Sequence, residues 1–233
     1  MTGRLGKHKH LLLLAAMLLV LVTQPFLAHA SVAGRTVYDL HVAATAVAVL
    51  LIVFNERWER QLGLVLALPA VALTAALYAT PALPAVATGV AYHLSIALFL
   101  GFAVAVIVRD IFRRRAITFD EILGAFAGYL LLGVVWGSLY VLVDLLAPGS
   151  FAVSADIRWQ LDDLHLRRAL FNYLSLATLA SLGYSDITAV APLANTLTWL
   201  EVMSAQFYLA VVIAQIVGMK IAQVVAGSGP AAR

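Results

Sequence analysis

Side chains able to do covalent or proton-transfer chemistry are present but do not assemble into a working set. The chain has six histidines and twelve acidic residues, and no paired histidines at zinc-site spacing. Lys7-His8-Lys9-His10 reads as a topology signal rather than a metal site. There is no phosphate-cradling glycine loop with a following lysine and no nucleophile elbow. Ser, His and Asp are scattered over different apolar stretches, so an enzyme is not expected, and the absence of cysteine excludes disulfides and thiolate metal sites. His93, alone in an apolar run, reads as a packing residue, and Asp39 and His41 read as interfacial. The informative stretch is Phe171 to Thr188, FNYLSLATLASLGYSDIT. There an apolar, helix-like run passes into Ser181-Leu182-Gly183-Tyr184-Ser185-Asp186.

The elements that must position this stretch follow from composition. Of the 233 residues, 63% are hydrophobic and 12% charged, far from the near-even apolar share of soluble domains. Runs of about 18 or more apolar residues extend over Leu11 to Ala28, Val37 to Phe54, Leu62 to Tyr78, Ala87 to Val108, Ile122 to Leu146 and Leu197 to Val217. Six spans are expected. Leu170 to Leu182 is too short to cross and has the length of a re-entrant element. The net charge of +3 comes from residues flanking the spans, so nucleic acid is not an expected partner.

The basic residues give the orientation. Lys and Arg cluster at positions 4 to 9, 57 to 60 and 109 to 115; with Lys220 and Arg233 these put 11 of the 15 basic residues on one side and Arg35, Arg158, Arg167 and Arg168 on the other. Both termini are therefore expected in the cytoplasm of a multi-pass inner-membrane protein. The first span has a rival reading as a secretory signal, because Ala28-His29-Ala30 fits a cleavage site. Arg109 to Glu121 reads either as a short helix on the inner surface, with Arg113, Arg114 and Arg115 contacting membrane lipids, or as plain topology charge. Span four carries no arginine between Ala87 and Val108, so no voltage sensor is expected. Pro148-Gly149 ends span five, and Phe151 to Arg167 reads as an extracellular loop. No internal repeat of the transporter kind is seen, and no ligand-binding domain is expected in the tail after span six.

The stretch from Ser181 to Asp186 resembles the selectivity filter of potassium channels, Thr-Val-Gly-Tyr-Gly-Asp, with the run before it resembling their pore helix. The resemblance implies that Ser181, Leu182, Gly183, Tyr184 and Ser185 form the filter. Potassium would be held by the backbone carbonyls of Ser181, Leu182, Gly183 and Tyr184. No cofactor beyond the permeant ion is implied. Asp186, Thr178 and Tyr173 are the candidates for filter support. Ser185 stands where the pattern has its second glycine, where positive φ would cost about 1–2 kcal/mol, so weak selectivity is the alternative. Ala177 and Ala180 stand where other members carry a carboxylate or a threonine. One chain holds one such segment, so four copies in cyclic symmetry are implied. The carboxyl ends of their pore helices would face a central cavity and favour a cation.

Span six extends the likeness. Glu201 to Ala210, EVMSAQFYLA, resembles the inner helix of small bacterial ion-channel proteins with six spans and one pore loop, as do Phe119 to Gly124, Tyr129 to Gly133 and Ala147 to Phe151. Ala205 stands at that family's hinge glycine. Helical spacing puts Gln206, Leu209, Ile213 and Val217 on one stripe facing a cavity, with Gln215 on the opposite side. Glu201 reads either as a brace for the pore helix or as an interfacial carboxylate. The expectation is an all-α membrane protein with a peripheral region over residues 1–121, a pore domain over 122–222 and a tail over 223–233. Its implied activity is passive cation conduction as a homotetramer. A non-conducting subunit that joins a heteromeric channel partner is the reading from another class.

Overall fold

The computed structural model describes residues 8–29, 31–79, 85–113, 118–183 and 186–227. Its α-helices are α1 (Lys9–Ala28), α2 (Val32–Ile52), α3 (Arg57–Ala79), α4 (Ala85–Arg113), α5 (Phe119–Leu146), α6 (Leu164–Leu179) and α7 (Pro192–Gly227). All but α6 are long and apolar enough to cross a membrane, so six spans make this a multi-pass membrane protein. Each helix begins before the apolar stretch that announces it, because a helix continues through polar flanks until something satisfies its end groups.

The turn between α4 and α5 illustrates this. Arg109 to Arg113 prolong α4 instead of starting a separate helix, while Arg114 and Arg115 lie outside the described residues. Helix α5 then begins after Thr118, whose N–H donates to Glu121 Oε2 at 2.7 Å. That reciprocal end is written in the sequence as Thr-x-x-Glu.

Helix α6 has 16 residues, about 24 Å at 1.5 Å per residue, short of the ~30 Å of a bilayer core. It starts six residues before the apolar run expected to form it. Its polar first turns hold because His165 and Arg168 find acceptors on neighbouring helices and Arg167 donates to the Leu161 carbonyl just before α6.

Strand β1 (Phe151–Val153) follows α5, and β2 (Ile187–Ala189) precedes α7. They pair antiparallel with Phe151 opposite Ala189, extended by Ser154 N–H donating to the Asp186 carbonyl at 2.9 Å. The segment carrying α6 thus begins and ends at the same end of the α5–α7 pair. Around this clasp Tyr140, Phe151, Phe171 and Ile187 form one apolar cluster, with Phe151 and Phe171 ring centroids 4.9 Å apart. A second cluster, including Leu13, Phe54, Phe99, Ile107, Leu131 and Tyr208, joins α1, α2, α4, α5 and α7.

Helix α5 is the hub because it lacks side chains where others approach. A Cβ on Gly133 would lie 2.8 Å from Leu176 Cδ2, and one on Gly137 would lie 3.1 Å from Asn172 Cα. In lipid, where burying apolar surface gives little drive, this close backbone approach supplies the packing energy.

Candidate functional site

The site is built on α6. Asp163 caps its start, accepting from the N–H groups of His165 at 2.9 Å and Leu166 at 3.1 Å. Arg35 Nη1 sits 2.6 Å from the other oxygen of Asp163. Burial alone would raise this carboxyl, but the Leu166 N–H, the Arg35 charge and the His165 N–H outweigh it and hold it below the usual carboxylate range.

The other end of α6 closes as a Schellman turn. Ser181 N–H donates to Thr178 O at 2.9 Å, Leu182 N–H donates to Ala177 O at 2.8 Å, and Ser181 takes φ of 57°. A glycine usually occupies that left-handed position. Leu176 O is taken by Ala180 N–H, and Leu179 O accepts from the Tyr129 hydroxyl at 2.8 Å. The four last helical carbonyls are therefore occupied, which weakens the negative end of the helix that the sequence led us to expect.

Beyond the turn, Ser181, Leu182 and Gly183 are exposed, and Gly183 has φ of 69°. Tyr184 and Ser185 lie outside the described residues. Asp186 is half-buried, and its Oδ1 accepts from its neighbour Ile187 N–H at 3.1 Å. Tyr173 and Asp186 share one cavity of about 470 Å³ with Gln24, Asn172 and Leu182. Thr178 is half-buried, with its carbonyl committed to the turn.

On α7 the expected stripe is present as a surface. Gln206, Ile213 and Val217 are exposed and Leu209 half-buried, while Ala205, Tyr208, Val212 and Met219 pack inward. Gln206 Nε2 lies 3.5 Å from Ser181 Oγ, so the stripe starts beside the exit of α6.

The sequence left Glu201 open between a brace and an interfacial carboxylate, and the structure decides for the brace. Glu201 is 0% exposed; its two carboxyl oxygens are hydrogen-bonded to the Tyr140 hydroxyl of α5 and the Ser175 hydroxyl of α6. Ser175 Oγ also reaches Gly133 O at 2.7 Å. The chain thus has a carboxyl behind α6 although Ala177 and Ala180 supply none. Tyr140 and Ser175 were missed as its partners. Their signal was indirect: a carboxylate inside an apolar span needs partners, and these are hydroxyls on the two helices nearest it.

The first turns of α6 are held by α2 and α4. Arg168 donates to Tyr92 Oη at 2.6 Å and Asp39 Oδ1 at 3.2 Å, and its guanidinium stacks 4.5 Å from the Tyr38 ring centroid. His165 Nε2 is 3.1 Å from Asp39 Oδ2. Arg167 Nε lies 3.5 Å from Asp144. One sequence expectation is corrected here: Leu164 to Arg167, the end of the expected loop, belong to α6. Asp39 is an acceptor between helices. His93 is 2% exposed, as a packing residue should be. Arg109 pairs with Glu59 at 2.6 Å, and Arg113 is exposed at the end of α4.

Among the described residues no cluster of three or more His, Cys, Asp or Glu could hold a metal ion. Comparison with family models, curated proteins and solved structures finds no match to this chain.

Proposed function

We propose that the chain is one subunit of a tetrameric, potassium-channel-type pore that conducts cations passively, with α6 as a re-entrant pore helix and Ser181 to Ser185 as the filter. One observation carries the reading. A helix too short to cross is wedged between two crossing helices, and the β1–β2 clasp returns its exit to the end from which it entered.

The remaining geometry fits. Beyond the helix cap at Ser181, the positive φ of Gly183 departs from regular helix or strand, which suits a segment presenting successive carbonyls to one axis. The exposed stripe of Gln206, Ile213 and Val217 suits a water-filled cavity shared by four copies. Apart from Gly183, each described residue of the segment is non-glycine, and Ser185 makes weak selectivity the competing outcome. Assembly with a second, heteromeric subunit is the other.

The test is the reversal potential of purified protein in planar bilayers, with potassium on one side and sodium on the other. A potential near the potassium equilibrium value supports the selective pore. A value near zero in a conducting bilayer removes selectivity but keeps the pore. Silence across lipids, pH and tension overturns the homotetrameric pore.

A further inference from the structure

The Glu201 cluster has a proton balance that fixes its chemistry. Three short contacts join it: Tyr140 Oη to Glu201 Oε2, Ser175 Oγ to Glu201 Oε1, and Ser175 Oγ to Gly133 O. Each contact brings two oxygens together and needs one proton. A phenol and a serine hydroxyl carry one proton each, and a main-chain carbonyl carries none. The third proton has a single place to reside, the Glu201 carboxyl. Glu201 then donates to Ser175 Oγ, Ser175 donates to Gly133 O, and Tyr140 donates to the second carboxyl oxygen.

Burial disfavours a charge there. Glu201, Tyr140 and Ser175 are each 0% exposed. The hydrogen-bonding partners of Glu201 are those two hydroxyls, with the Tyr129 phenol the next titratable side chain toward it. No lysine or arginine among the described residues is paired with it. An unpaired carboxylate buried in this way costs several kcal/mol, whereas the neutral acid satisfies every partner.

We propose that Glu201 is held as a neutral acid and is a positioning residue, joining α5, α6 and α7 through Tyr140 and Ser175 and so setting where the exit of α6 stands beside Gln206. This role rests on the pore reading for its effect on conduction, but the protonation itself does not.

Glutamine is the decisive replacement. Its amide donates to Ser175 and its carbonyl accepts from Tyr140, reproducing all three contacts without a titratable proton. Infrared difference spectra of wild type minus Glu201→Gln in lipid vesicles should show one carbonyl band of a protonated carboxylic acid. Potassium flux and selectivity of Glu201→Gln should match wild type. Glu201→Ala should lose roughly tenfold or more of the flux, the equivalent of one buried polar group left unpaired. A carboxylate band in place of the acid band, or flux in Glu201→Gln as low as in Glu201→Ala, overturns the proposal. If the wild type itself does not conduct, the pore reading fails, and the infrared band still decides the state of Glu201.

Discussion

Replacing Gly137 with alanine tests the closeness of α5 and α6 most directly. The new Cβ would lie 2.3 Å from Asn172 Oδ1 and 3.1 Å from Asn172 Cα. The amide can swing away, but only by giving up its bond to Gln24 Oε1 at 3.0 Å. The Cα cannot swing; α6 must move off by a few tenths of an ångström, which also stretches the Ser175 contact to Gly133 O. Overpacking of this kind costs about 1–3 kcal/mol, and the lost buried amide contact about 1 kcal/mol more. Against this, alanine gains about 1 kcal/mol over glycine in a helix. The net expectation is a loss of about 2 kcal/mol, read by reversible unfolding in mixed micelles. Gly101→Ala is the control, since a Cβ there meets nothing within 4 Å, and it should be neutral or stabilising. Equal stabilities for the two variants would refute the close α5–α6 contact.

Three further outcomes are expected. Ser181→Gly should raise stability by about 1 kcal/mol, because Ser181 holds φ of 57° at a position glycine fills without strain; Ser181→Val should do the opposite in the same unfolding assay. Asp163 is held below its ordinary range in the folded chain, so its contribution is complete above the unfolded value of about 4 and is lost as pH falls through the folded value. A thermal unfolding series at acid pH should show this loss in wild type and a flatter profile in Asp163→Asn, which keeps the cap but not the charge. Arg168→Met should destabilise by about 1–3 kcal/mol, since it removes the donor that Asp39 and Tyr92 share at a half-buried site while Asp39 keeps His165; the resistance of detergent-solubilised protein to heat-induced aggregation measures it.

The six spans were legible because apolar runs of membrane length have few other fates. The start of α6 was not legible. Arg167 looks like the last charge of a loop, and Arg168 like a residue outside the apolar run, until Asp39, Tyr92 and Asp144 are known to stand beside them, and that depends on packing between helices far apart in sequence. The stripe on α7 followed from periodicity, whereas the role of Glu201 needed three helices in place. The Schellman turn at Ser181 escaped for another reason. Serine is not the residue that usually signals it, and only the two backbone bonds to Ala177 and Thr178 reveal it.

The clasp between β1 and β2 has a consequence for biosynthesis. Strand β2 lies beyond α6 in the chain, so during synthesis α6 emerges before the segment that fastens its exit exists. For that interval α6, bearing Arg167, Arg168 and Asn172, can dock only on α1, α2, α4 and α5, and the Ser175 hydroxyl waits for the Glu201 carboxyl to arrive with α7. Insertion of α7 is then the step that both closes the loop and completes the polar contacts, so a chain stalled before α7 would expose a polar helix to the insertion machinery.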